Sequence, residues 1–257
     1  MNVLDGASQR ARTDAAARRE EGGRRAGQHS AWRDGGFFGR LPASLVLTLQ
    51  RETRVSEAVR GQVIFEEGDP AEGLYSVCSG LVKLTKAGPS GRQVILRLAG
   101  PGELLGYRAV LAGEPYLATA QAAEPTVLSR LGQAGLQEIL RVVPDAARRL
   151  ARLLATDLGT AEARLLDLVD RPAEARLAHI LLWLKNTCGV PVAGGIRLAV
   201  SLTRRDLADL AGMAEETAIR ALSDLRRRGA VTLPGHAVVL RDLRLLSQLA
   251  QEVLPAR

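Results

Sequence analysis

Between Leu41 and about Arg130, short apolar runs are punctuated by glycine. Val63-Ile64-Phe65 precedes Gly68-Asp69, and Leu74-Tyr75-Ser76-Val77 precedes Ser79-Gly80. Leu81-Val82-Lys83-Leu84 comes before Gly91, and Val94-Ile95-Leu96 before Gly100-Pro101-Gly102. Runs of about four to six residues between glycine turns predict a compact antiparallel β-roll or barrel, because glycine supplies the positive φ that tight turns need. Leu81 and Lys83 alternate with Val82 and Leu84, the period of a strand with one buried face.

Past Leu136 the period becomes helical. Pro144 and Asp145 suit the first turn of a helix, where proline is preset and an acidic residue meets the positive end of the macrodipole. Ala147, Leu150, Leu154, Leu158, Ala161, Leu165 and Leu168 then recur at intervals of three and four. A stripe this thin over about seven turns predicts a dimer seam of Leu150, Leu154, Leu158, Ala161 and Leu165. The alternative is a long helix packed on its own roll. Gly159 lies inside it, at about 1 kcal/mol relative to Ala. Pro172 interrupts the stripe, and Ala175 to Lys185 reads as a new helix.

The segment from Leu202 to Leu225 has the pattern of a helix-turn-helix. Thr203 caps the first helix, with Asp206 placed to return the bond. Gly212 permits the turn, and Leu207, Ala211 and Met213 point inward. On the second helix Ala218, Leu222 and Leu225 share one face, while Glu216, Ile219, Arg220 and Ser223 share the other. Arginine can donate two bonds to guanine, glutamate can accept from cytosine, and an apolar side chain can touch a thymine methyl. Arg226, Arg227 and Arg228 end this helix, and Gly229 follows as a C-cap. Ala230 to Leu233, Pro234-Gly235 and His236 to Leu240 predict a two-stranded wing. With Arg204, Arg205 and His236, the arginines are placed for phosphate contacts.

Composition adds bounds. A chain of 257 residues exceeds what one core usually serves. With 46% hydrophobic but only 3% aromatic residues, the core must be built from Leu, Val and Ala. The net charge of +7 suits a polyanionic partner, here double-stranded DNA. Residues 1–40, a mix of Arg, Glu, Gly, Ala and Gln with few large apolar residues, read as a disordered basic tail. The roll follows over 41–135, the dimerisation helix region over 136–170 and the winged domain over 171–257. Two distant cysteines, Cys78 and Cys188, form no disulfide framework or metal cluster. No secretory leader and no run of about 18 apolar residues is present, so a cytoplasmic protein without a membrane partner is expected.

These segments resemble the Crp/Fnr superfamily over roughly residues 41 to 246. The likeness is carried by Gly68-Asp69, Gly73-Leu74-Tyr75, Ser79 to Leu84, Gly91-Arg92, Pro101 to Gly106, Val143-Pro144-Asp145 and Glu216-Thr217-x-x-Arg220. It implies an α+β protein: a cyclic-nucleotide-binding-like antiparallel β-roll, a dimerisation helix and a C-terminal winged helix-turn-helix. It also implies a homodimer on an inverted-repeat operator, with Glu216 and Arg220 at bases and Thr217 near a phosphate. Transcription activation would add RNA polymerase as a partner. The expected DNA-binding set is Thr203, Arg204, Glu215, Glu216, Thr217, Ile219, Arg220 and Ser223.

The departures narrow the effector. Glu215 stands where the cyclic-AMP receptor has an arginine, and Ile219 where Fnr-like members carry a small polar residue. In the phosphate cassette, Tyr107 replaces the ribose-binding glutamate and Leu117 the phosphate-binding arginine. An effector pocket of Glu103, Tyr107, Arg108, Tyr116 and Thr119 is expected, and its ligand is not classical cyclic AMP. Without a cysteine cluster before the roll or histidines in it, neither an iron–sulfur nor a haem cofactor is expected. The alternatives are a cyclic-nucleotide-responsive regulator using Tyr107, Arg108 and Thr119, or a nucleotide-sensing module that binds no DNA. Enzyme motifs are missing: no Walker loop, nucleophile elbow or paired carboxylates occur.

Overall fold

The computed structural model describes residues 37–38, 41–89, 91, 93–200, 202–235 and 237–251. The readings of residues 1–36, of Arg92 and of His236 lie outside these residues; the disordered-tail reading is corrected at its end, because Phe38 is buried with Leu41, Leu45 and Leu49. Helix α1 (Ala43–Glu52) opens the described fold, with Leu45 and Leu49 one turn apart and buried. A purely β reading from Leu41 onward is thus corrected at its start; the spacing of these two leucines is helical.

Eight short strands follow: β1 (Thr53–Ala58), β2 (Val63–Phe65), β3 (Gly73–Ser79), β4 (Val82–Ala87), β5 (Gln93–Ala99), β6 (Leu104–Leu105), β7 (Thr119–Ala122) and β8 (Thr126–Gly132). They form two antiparallel sheets ordered β1-β8-β3-β6 and β2-β7-β4-β5, the predicted roll. Val77, Val82, Ala99, Leu105, Ala120 and Leu128 fill the space between the sheets. Short helix α2 (Tyr107–Ala112) crosses between β6 and β7.

One irregularity orders the rest. Leu84 pairs with Arg97 and Thr85 with Ile95, so Leu96 is an extra residue in β5. An unpaired residue resets the two-residue alternation of side chains. The pairs Lys83–Leu98 and Thr85–Ile95 therefore share the outer face, and Val82–Ala99 and Leu84–Arg97 the inner one. The outer face is covered as well: Leu81, Ile95 and Leu98 belong to the same buried cluster as the C-terminal domain. The half-buried strand expected from the Leu81–Leu84 alternation is therefore covered on both faces over Leu81 to Thr85, while Lys86 and Ala87 stay exposed.

Helices α3 (Gln133–Val142) and α4 (Ala146–Asp170) follow the roll. Asp145 is the N-cap of α4, so Pro144 and Asp145 lie in the turn before the helix. Ala146 and Leu150 pack with Leu45, Leu49, Tyr107, Leu136 and Ile139. Leu150 is only 3% exposed, which removes it from the proposed seam: the first turns of α4 complete the chain's own core. Beyond this point Leu154, Leu158, Leu165, Leu166, Leu168 and Val169 are exposed.

The C-terminal domain comprises α5 (Ala173–Cys188), β9 (Gly189–Val192), β10 (Gly195–Leu198), α6 (Arg204–Leu210), α7 (Glu215–Arg227), β11 (Val231–Thr232), β12 (Val239–Leu240) and α8 (Leu243–Leu249). Leu177, Leu181 and Leu184 of α5 are fully buried beside Leu207, Leu222 and Leu225. The predicted wing strands, β11 and β12, extend into a four-stranded sheet, β11-β12-β10-β9. The β9–β10 hairpin was not expected from the pattern; its strands carry exposed Val190, Pro191 and Val192.

Thr203 and Asp206 form the predicted capping box, and Asp206 does more. Its Oδ2 accepts from the Thr203 N–H at 2.9 Å and from the Thr203 hydroxyl at 2.7 Å. Its Oδ1 lies 3.3 Å from Lys83 Nζ on the outer face of the roll. Burial opposes the charged carboxylate, but the Thr203 bonds and the Lys83 charge outweigh it and hold its pKa below the ordinary range. The resulting stabilisation is present above the unfolded-state value and is lost as pH falls through the lower folded-state value. Asp206→Ala should cost about 1–3 kcal/mol near pH 7. The gap should narrow below about pH 4, and urea unfolding midpoints of both proteins across that range provide the check.

Candidate functional site

Helix α7 starts after Ala214, whose φ of -66° and ψ of 149° are extended, and carries Glu215 and Glu216 in its first turn. Acidic residues there are favoured by the macrodipole. Ala218, Ala221, Leu222 and Leu225 are buried against the domain core. Glu215, Glu216, Ile219, Arg220 and Ser223 are exposed, and Thr217 lies half-buried at their edge. The structure thus brings six of the eight predicted DNA-binding residues onto one exposed helix.

Arg220 has no carboxylate partner among the described residues, whereas Arg227 pairs with Asp224 at 2.9 Å and Arg228 with Glu174 at 3.0 Å. The Ser223 hydroxyl donates to the Ile219 carbonyl at 2.9 Å, leaving its oxygen outward as an acceptor. Ile219 is 44% exposed, an apolar side chain on an otherwise polar face.

The other two predicted residues differ. Both donors of Thr203 are committed to Asp206, so Thr203 builds the start of α6 and has no proton left for a phosphate. Arg204 is half-buried, with Nη1 enclosed and unbonded. Arg205, by contrast, is exposed. Gly212 turns the chain between α6 and α7 at φ 62°, and a Cβ there would meet Leu168 of α4 at 2.5 Å.

The second site is a cavity of about 100 Å³ inside the roll, reaching to α4. Phe65, Leu84, Leu104, Leu105, Tyr116 and Ala118 give it an apolar wall, and Phe65 and Tyr116 stack at 3.9 Å. Three of the five predicted pocket residues, Tyr107, Arg108 and Tyr116, line it. Glu103 and Thr119 do not. Glu103 accepts from Gly100 N–H at 2.6 Å and closes the turn before β6. Thr119 Oγ1 accepts from Glu67 N–H at 3.0 Å and ties down the loop after β2.

Two residues that the pattern did not single out form the polar end, Arg97 of β5 and Asp157 of α4. Arg97 Nη1 lies 3.3 Å from Asp157 Oδ2, and Nη2 lies 3.3 Å from Glu103 Oε1 and donates to the Leu104 carbonyl at 3.1 Å. Tyr107 accepts from Arg97 Nη1 at 3.3 Å and donates to Asp157. Burial and the bond to Asp157 push the Tyr107 hydroxyl up to about 12, so it keeps its proton at neutral pH. Burial likewise raises Tyr116, whose hydroxyl donates to the Gly73 carbonyl at 2.6 Å. The one sequence signal for Arg97 was a charge inside the apolar run from Val94 to Leu98; Asp157, 60 residues away, had none.

Among the described residues no group of three or more His, Cys, Asp or Glu could hold a metal ion, and no helix is long and apolar enough to cross a membrane.

A roll joined by a long helix to a helix-turn-helix domain is the architecture of a two-domain DNA-binding regulator. Comparison with known proteins agrees. The family described as "Cyclic nucleotide-binding domain" matches residues 55–142, and the "Crp-like helix-turn-helix domain" matches residues 175–249. The cyclic AMP receptor protein of Thermus thermophilus is 35% identical over 191 residues, 74% of this chain and 85% of that one. The CRP-like cAMP-activated global transcriptional regulator of Mycobacterium tuberculosis is 28% identical, covering 84% of this chain and 96% of its own length. The structure of FixK2 from Bradyrhizobium japonicum superposes with a TM-score of 0.69 at 29% identity, covering 78% of this chain and 98% of that one. The chain belongs to the Crp/Fnr superfamily of transcription regulators and carries its helix-turn-helix DNA-binding domain.

Gly106 precedes α2 at φ 74°, and a Cβ there would sit 2.8 Å from the Tyr116 ring. Gly106→Ala should lower stability by about 1–3 kcal/mol through strain at positive φ and the displaced ring. A fall in thermal midpoint, with the Tyr116 environment altered in near-ultraviolet circular dichroism, checks this.

Proposed function

We propose that this chain acts as a homodimer in the cytoplasm, reading an inverted-repeat DNA operator with α7, and that its effector is not cyclic AMP. The observation that carries the reading is the face of α7: Glu216, Ile219 and Arg220 project together, while Ala218, Leu222 and Leu225 anchor the helix behind them. In the major groove Arg220 would donate to a guanine, Glu216 accept from a cytosine and Ile219 touch a thymine methyl. Glu215, Thr217 and Ser223 would border these contacts, with Arg205 and Arg226 at phosphates. Arg204 can join them only by turning its half-buried guanidinium outward. Contacts with RNA polymerase would follow if the bound dimer activates transcription.

Dimerisation is supported by α4. Leu154, Leu158 and Leu165 form an exposed apolar stripe with Ala161 between them, and Leu168 continues it toward Gly212. Such a stripe is stable in water only when buried, and a second copy offers the matching surface. Leu154 to Leu165 retain the seam role, while Leu150 belongs to the chain's own core.

Cyclic AMP is disfavoured by charge. Arg97 at the cavity already pairs with Asp157 in the lining and with Glu103 beside it, which weakens its attraction for a phosphate, while Arg108 stands exposed at the edge. The test is selection of genomic fragments by the purified protein, with and without cyclic AMP and cyclic GMP. An inverted repeat enriched without nucleotide is the expected result. Enrichment only with nucleotide would establish the cyclic-nucleotide-responsive alternative. The absence of any motif with nucleotide, without it, or with other small molecules would favour a sensing module that binds no DNA.

Arg220→Ala should lose about 1–3 kcal/mol of discrimination between the selected site and random DNA; an equal loss on both in fluorescence anisotropy would refute its role. Leu158→Glu should convert dimers to monomers by placing an unpaired charge in the seam, seen as a halved mass in sedimentation equilibrium.

A further inference from the structure

From Leu154 to Asp170, the residues of α4 that are not exposed are Asp157, Arg164 and Asp167. Their spacing puts them along one side of the helix. No buried apolar residue fixes this stretch, so its place against the rest of the chain is set by charged side chains. Asp157 meets the roll through Arg97 and Tyr107. Asp167 meets α5 through His179 at 2.8 Å. Arg164, between them, reaches both sides. Its Nη1 donates to the carbonyl of Leu96, the bulge residue of β5. Its guanidinium carbon stands 5.7 Å from the ring centroid of Trp183, within cation–π range. Trp183 packs against the buried cluster that holds Leu207, Leu222 and Leu225, the body that carries the recognition helix.

Close packing does not define this junction. A cavity of about 140 Å³ lies beside it, lined by Leu96, Arg164, Asp167, Arg176, Ile180 and Gly212 among others. Where side chains do not interdigitate, directional polar contacts decide the position. Burial and the neighbouring charge of Arg97 lower the pKa of Arg164, with Asp167 opposing them, so this cation sits where burial disfavours it. A cation so placed adds little net stability; what it adds is direction.

We propose that Arg164 is a positioning residue for DNA binding: by tying the Leu96 carbonyl to Trp183 it fixes the angle between the C-terminal domain and α4, and with it the half-site spacing that the dimer accepts. This rests on reading the chain as a homodimer on an inverted repeat. One added base pair moves a half-site by about 3.4 Å and turns it by roughly 35°. A domain held at a fixed angle cannot follow that change, whereas a released one can.

The test uses duplexes carrying the selected inverted repeat, the same repeat with one base pair inserted at its centre, and a single half-site. Each is titrated with the full-length protein by fluorescence anisotropy. The wild type should bind the repeat at least about a hundredfold more tightly than the half-site, and the insertion should cost at least about tenfold. Arg164→Ala should bind the half-site within about twofold of the wild type, while the insertion costs less than about threefold. Trp183→Leu should reproduce this tolerance. Arg164→Lys, which keeps a donor and a cation over the ring, should restore most of the insertion penalty. Sedimentation equilibrium should show dimers throughout, and Arg164→Met takes the place of Arg164→Ala if that variant does not fold. An unchanged insertion penalty, an equal loss on half-site and repeat, or conversion to monomers would each overturn the proposal and leave the regulator standing. A wild type without preference for the repeat, or without any selected motif, overturns the dimer reading and the proposal with it.

Discussion

The extra residue in strand β5 is the constraint on which both halves of the molecule depend. With Leu96 left out of the ladder, Ile95 and Leu98 face outward onto α6 and the helices behind it, and Arg97 faces inward to the cavity. A regular strand would place Ile95 and Arg97 on the same face and split Ile95 from Leu98. The roll would then lose either its dock for the DNA-binding domain or its polar residue in the pocket. The bulge also presents the Leu96 carbonyl to Arg164 of α4, whose guanidinium stands 5.7 Å from the ring centroid of Trp183 in α5. One irregular residue therefore touches the roll, the long helix and, through Arg164, the C-terminal domain.

Helix α4 joins these parts because its three stretches have different surroundings. Ala146 and Leu150 belong to the core beneath the roll, Asp157 reaches the cavity, and Leu168 approaches Gly212 in the turn between α6 and α7. A change at Asp157 is one residue away from Leu158 on the exposed stripe and about three turns from Leu168. Packed helices move as units rather than bending continuously, and α4 reaches the cavity, the exposed stripe and the turn before α7 within one helix. Gly159, next to this point, leaves open space around it that a side chain would otherwise occupy.

The two functional regions use charge in opposite ways. At the cavity, Arg97 is paired with its own chain's carboxylates, Asp157 and Glu103. On α7, Arg220 stands exposed and without a carboxylate partner among the described residues, while Glu215 and Glu216 lie in the first turn and Asp224 pairs with Arg227. A paired guanidinium holds structure together, whereas an unpaired one on a rigid helix is available to a partner. Lys83 and Asp206 link the two regions, since one carboxylate both caps α6 and holds that helix to the roll.

The sequence by itself determined the elements and the recognition face. Glycine-spaced apolar runs specify the roll, the Thr203–Asp206 spacing specifies a cap, and a 3.6-residue period puts Glu216, Ile219, Arg220 and Ser223 opposite Ala218, Leu222 and Leu225 whatever surrounds the helix. These are local properties, governed by turn chemistry and by which face avoids water. Tertiary structure alone decided that Leu150 is core and Leu158 is not, although both lie on one stripe, because burial depends on where the roll ends against the helix. It alone withdrew Thr203 from the DNA-facing set by using up its donors, and moved Glu103 and Thr119 from the pocket into turns. It alone joined Arg97 to Asp157 across 60 residues. A pairing between distant side chains leaves no period in the chain, and the register shift that aims Arg97 inward exists only once β4 and β5 have paired.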